Sequence, residues 1–161
     1  MPDVPPAIAA LSAVLNECWD WLLSLPEWAG VARAGLLRAG FAHWAMPVRR
    51  LCAEYAGKFP FAGAEDVLAD AVAHADPVIV RRFALLALAT LAPARAVAWA
   101  AGLLSPLHPD EYPVLASVDI LAAHAPAALS PLAPALRQHP SAYVQLRVSP
   151  GGLPAGPHPL Q

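Results

Sequence analysis

Charge is scarce in this chain: only 14% of its 161 residues are Asp, Glu, Lys or Arg, against about 25% in an average soluble domain. The formal net charge of -2 gives no overall electrostatic case for nucleic acid or an anionic membrane. Cysteine is nearly missing too. Cys18 and Cys52 each fall inside a helical pattern, which excludes a disulfide framework and predicts a reduced, buried pair. No Gly-rich phosphate loop, nucleophile elbow or Cys-His arrangement occurs at a recognisable spacing, and no two histidines stand four apart on one helix. The sequence therefore implies no catalytic residue, no cofactor and no metal site. The start, MPDVPPAIAALSAVL, carries no basic segment ahead of its apolar run and does not read as a secretory signal. The longest apolar stretch, Phe83 to Leu104, is interrupted by Pro93 and Arg95, so it reads as two helices and not as a membrane span. These absences point to a cytoplasmic protein with no membrane partner.

Hydrophobic residues, by contrast, make up 58% of the chain, and mean hydropathy is +0.48. Alanine, roughly a quarter of all residues, supplies much of this and favours helices in close contact. One all-α domain over residues 1–148 is expected. The tail from Ser149, SPGGLPAGPHPLQ, has too many prolines and glycines to propagate a helix and is predicted to be disordered.

The clearest element is His74 to Leu91, HADPVIVRRFALLALATL. Asp76 is placed as an N-cap and Pro77 as the first helical residue. Val80, Phe83, Ala84, Ala87, Leu88 and Leu91 then recur at three- and four-residue steps, while Ile79, Leu85 and Leu86 widen the apolar face. Such a helix requires neighbours on several sides. Around it the pattern gives eight more helices: Pro6–Ser24, a second to about Trp44, a third opened by Pro47, a fourth over Gly63–Ala75, a sixth over Pro93–Leu104, a seventh capped by Asp110, an eighth from Ser130 to His139 and a ninth from Ser141. Gly30, Gly35 and Gly40 in the second helix each cost about 1 kcal/mol relative to alanine, an expense best explained by close approach of a neighbouring helix.

Helix starts recur. Val48-Arg49-Arg50, Val80-Arg81-Arg82, Val114-Leu115 and Val144 are separated by 32, 34 and 30 residues, the mark of stacked helical hairpins. Together with the Asp-Pro turn and the Val-x-Val-Arg start at residues 76–81, this pattern resembles HEAT-type repeats from Met46 to Val148. The resemblance implies a short α-solenoid of about nine helices, with an irregular helical bundle as the structural competitor. It also implies a non-enzymatic scaffold that binds another protein or a peptide. In such repeats an arginine of the inner helix commonly reaches a turn aspartate of the adjacent unit, a role open to Arg81 or Arg82 with Asp76 or Asp110. The alternative is a nucleic-acid-binding protein of the DNA-maintenance type, in which the same arginines neutralise phosphates.

The candidate partner- or phosphate-binding residues are therefore Arg33, Arg38, Arg49, Arg50, Arg81 and Arg82, with Trp44 and Tyr112 as aromatics. His74, His108 and His139 precede successive helix starts, and their spacing reads as turn positions, not converging metal ligands. At the far end, the ninth helix presents Tyr143, Val144, Leu146 and Val148 with no following hairpin. It either packs on the eighth helix as a cap or forms a symmetric homodimer contact.

Overall fold

A computed structural model of the chain describes residues 31–58 and 60–149. The expected first helix, Cys18, Gly30 and the tail beyond Ser149 lie outside the described residues. Within them the protein is all-helical, with no strand. Six regular helices come first: α1 (Val31–Ala42), α2 (Met46–Lys58), α3 (Ala64–His74), α4 (Ile79–Leu91), α5 (Pro93–Leu104) and α6 (Glu111–His124). A broken run, α7, follows as Pro126–Leu129, a 3₁₀ turn at Ser130–Leu132 and Ala133–Leu136, and α8 covers Ala142–Arg147.

Local sequence explains where several of these helices start or break. Gly63 stands just ahead of α3 at φ 86°, a left-handed conformation open to glycine, and Glu65 and Asp66 then place negative charge on the positive end of the helix dipole. Pro93 takes the first position of α5 and separates it from α4 at Ala92. No helix among the described residues is long and apolar enough to cross a membrane. Prolines 131 and 134 break α7 into pieces, and the run begins at Pro126, four residues ahead of the expected Ser130.

Packing follows the repeat. One layer contains α2, α4, α6 and α8, each against the next. The other begins with α1, which packs on α2 and α3; α3 packs on α4, and α5 on both α4 and α6. Arg95 of α5 ties this outer layer together, donating to Asp66 of α3 at 2.8 Å with Glu65 at 3.8 Å.

Surrounded by α2, α3, α5 and α6, α4 is the centre of the stack. Val80, Ala84, Leu85 and Leu88 on it are fully buried. Each such leucine contributes about 1.5–3 kcal/mol of burial free energy. The phase differs from expectation, however. Leu85 is buried, whereas Phe83 and Leu91 are only half-buried. With apolar residues almost all round α4, contacts with its four neighbours set the rotation.

The start of α4 also differs. It begins at Ile79, with Val78 at the N-cap position and no side-chain cap. The Val80 N–H donates to the Pro77 carbonyl (2.9 Å) and the Arg81 N–H to that of Val78 (3.0 Å), so a tight first turn replaces the expected Asp76 cap.

Of the glycines expected at close helix contacts, Gly40 is one: a β-carbon there would fall 2.1 Å from Cys52 Sγ on α2. Gly35 faces open space and has no such reason. Cys52 is a free, buried thiol.

Candidate functional site

The connections leading into α2, α4, α6 and α8 form one edge of the stack, and their polar groups are occupied with backbone. His43 Nδ1 accepts from the Ala45 N–H (3.0 Å), His108 Nδ1 from that of Asp110 (3.1 Å) and His139 Nδ1 from that of Ser141 (3.0 Å). In each case the imidazole caps the N–H two residues on, just before a helix starts. The connection into α4 has Pro77 at the corresponding place, which has no N–H to cap. The equivalent histidines are thus His43, His108 and His139. His74, expected in this set, instead lies on the exposed end of α3, 4.0 Å from Asp70.

A second regularity secures these connections. Arg49 donates through Nε to the His43 carbonyl, Arg81 to that of Ala75 (3.0 Å) and Gln145 to that of His139 (2.7 Å), always six residues back. Between units, Arg49 also donates to the Asp76 main-chain oxygen, and His139 Nε2 contacts the His108 carbonyl at 3.3 Å. With Nδ1 accepting, Nε2 carries the proton and donates. The expected arginine-to-turn link therefore exists, with two corrections. Its donor toward Asp76 is Arg49 of the preceding unit, not Arg81 or Arg82, and its acceptor is main-chain oxygen, not carboxylate.

These bonds divide the candidate arginines. Arg49 and Arg81 brace connections. Arg33 is half-buried and Arg38 exposed on α1, and neither lines the groove that crosses α2, α4 and α6. Trp44 is 74% exposed at the α1–α2 connection and stacks on His43 with ring centroids 5.4 Å apart. Tyr112 is half-buried in the first turn of α6. Only Arg50 and Arg82 of the set come together, on the walls of a groove crossing α2, α4 and α6.

This groove encloses about 660 Å³. Phe83, Leu86 and Ala87 of α4 form its middle, Ala53 and Gly57 of α2 one side, and Ile120 and Ala123 of α6 the other. Small residues on α2 keep that wall low. Gly57 approaches the Ala87 backbone to 3.5 Å, measured from the position a β-carbon would take. Charges sit within and around the apolar strip: Arg50, Glu54 and Lys58 on α2, Arg82 on α4 and Asp119 on α6. Arg50 is bound to Glu54 at 2.8 Å, one turn along the same helix. Asp119 accepts two hydrogen bonds from Arg147 of α8, at 2.6 and 2.8 Å. That bidentate pair pushes the Arg147 guanidinium pKa upward, chiefly through the hydrogen bonds and against the opposing effect of burial.

Sequence reasoning places none of Phe83, Leu86 and Lys58 among the candidate site residues: Phe83 belongs to the main apolar row of α4, and Leu86 to the residues that widen it. The groove has an apolar floor with a few charges within and around it. No protein-family profile, curated protein or solved structure matches the chain.

Proposed function

We propose that this chain is a HEAT-like helical-repeat module that binds a partner protein and performs no chemistry of its own. The observation that carries this reading is the half-open apolar strip of Phe83 and Leu86, flanked by helices α2 and α6. The recurrence of helix starts at 32, 34 and 30 residues, and the packing of every second helix on the next, support the repeat assignment. A helix or extended peptide laid on the strip removes apolar surface from water, at about 25 cal/mol per Å². The arginines lend less to a phosphate-binding reading, since Arg49 and Arg81 are engaged with carbonyls and Arg50 with Glu54.

The test is selection of displayed random peptides on the full chain, with counter-selection on a Phe83→Ala/Leu86→Ala variant shown to be folded by circular dichroism. Peptides that bind the parent and not the variant support the groove. Failure to enrich any such peptide overturns it. Tight binding of labelled DNA or RNA with a steep loss on adding salt would transfer the arginines to a nucleic-acid role.

A further inference from the structure

Resting on that reading, we infer that the groove takes an acidic amphipathic helix: a partner segment with leucine-like side chains on one stripe and carboxylates beside it. The argument is a charge balance. Arg50 is held by Glu54 within α2. Asp119 is held by both arms of the Arg147 guanidinium, which approaches from α8. With those carboxylates satisfied, Arg82 and Lys58 remain as positive groups on the groove without an ion-pair partner among the described residues. They stand on adjacent helices, with Phe83 following Arg82 directly in the chain. Carboxylates along an incoming segment meet one unpaired cation on α2 and another on α4, while a basic segment is repelled by them and finds the acidic groups already neutralised.

Dimensions suit a helix. Three helices packed side by side at about 8–10 Å place α2 and α6 roughly 16–20 Å apart, the length of an α-helix of about 11–13 residues. The floor is itself a helical row, Phe83, Leu86 and Ala87 at i, i+3 and i+4, and a half-open groove over such a row suits a helix with one wet face.

The test uses the full chain and three synthetic peptides of about 14 residues. One carries leucine at helical spacing with glutamate beside it, the second has lysine in place of glutamate, and the third keeps glutamate but replaces leucine by serine. Fluorescence anisotropy should show the first peptide binding at least about tenfold more tightly than either of the others. Arg82→Glu and Lys58→Glu should each weaken it by about tenfold or more, an effect that shrinks as salt is added. Phe83→Ala should weaken it at every salt concentration.

If the lysine peptide binds as well, with the same dependence on Phe83, the groove reading survives and the acidic partner is overturned. Equal binding of the serine peptide would show a surface that collects anions without using the groove, and overturns the proposal. So does absence of binding by the first peptide at about 1 mM. Loss of Phe83 dependence for all three peptides would remove the groove reading itself.

Discussion

Cys52 Sγ lies 2.1 Å from the point where a β-carbon on Gly40 would stand, so the thiol of α2 occupies the space that a side chain on residue 40 of α1 would need. Replacing Gly40 by alanine forces the sulfur or one helix to move, and overpacking of this kind costs about 1–3 kcal/mol. Part of that cost should disappear when Cys52 is alanine, giving a coupling energy of about 1–2 kcal/mol in a double-mutant cycle read by urea unfolding. Additive losses would mean that the contact is not what requires glycine. Gly35, on the same helix but in open space, provides the contrast. Gly35→Ala should stabilise the protein by about 0.5–1 kcal/mol, because only helix propensity is changed.

Burial of the same thiol has a consequence for pH. It raises the Cys52 pKa from 9.0 to about 11, because thiolate is poorly solvated between α1 and α2. The unfolded chain then releases this proton at lower pH than the folded one. Folding stability should therefore decline as pH rises through the window from 9.0 to about 11, with a slope contribution near 1.4 kcal/mol per pH unit from this residue. Comparison of urea midpoints for the parent and Cys52→Ala across that range isolates it, since the variant lacks the titration. In a Cys18→Ser background, alkylation of Cys52 at neutral pH should be slow in buffer and fast in denaturant.

His139 is 1% exposed and bonded at both ring nitrogens, to the Ser141 N–H and the His108 carbonyl. His139→Ala leaves both groups without their partner and opens space in the last connection, so a loss of about 2–4 kcal/mol is expected. His139→Asn can still accept from the Ser141 N–H and should recover about 1 kcal/mol of it. The equivalent change at His43, nearer the surface, should cost less than about 1 kcal/mol. Chemical unfolding of the three variants checks the order; equal losses at 43 and 139 would argue against the bond between units as the source.

Helix positions were legible because alanine and leucine recur with helical spacing and because prolines such as Pro93 mark starts. The repeat step was legible for the same reason, as each unit needs a comparable inner stripe. Rotation of α4 was not: with Ile79, Val80, Phe83, Leu85 and Leu86 all apolar, sequence could not tell which side would face four neighbours and which would be left half-open. Phe83 consequently belongs to the groove, not to the deepest core, and Phe83→Ala should cost less than the about 3–5 kcal/mol of a buried phenylalanine. The histidine caps did leave a signal, in His108-Pro109-Asp110 and His139-Pro140-Ser141, each with its imidazole two residues ahead of a helix N-cap. His74 drew attention by spacing alone, whereas the place of the imidazole in that unit is taken by Ala75, ahead of a Pro77 that has no N–H to cap. Which arginines were committed to carbonyls could not be read either, because the acceptors are main-chain atoms and leave no mark in the sequence.

The last hairpin depends on a pair that joins α8 to Asp119 of α6, a residue on the groove. Arg147 and Asp119 have side chains 14% and 22% exposed, between a solvated surface pair and a fully buried one. Breaking such a pair should cost about 1–3 kcal/mol, above the range of exposed ion pairs and below that of buried ones. Arg147→Lys cannot reproduce the two parallel bonds and should lose about 1 kcal/mol, while Arg147→Met also leaves Asp119 uncompensated and should lose more. Since α8 packs on α6 and its exposed Tyr143 and Leu146 contribute little burial, hydrogen exchange should quicken first in residues 142–147 of either variant. Arg147→Met also frees the Asp119 carboxylate at the groove, adding a negative charge that should weaken an acidic peptide and strengthen a basic one. A variant with faster exchange in α8 but unchanged peptide preference would show that Asp119 holds the end of the stack without setting the charge of the groove.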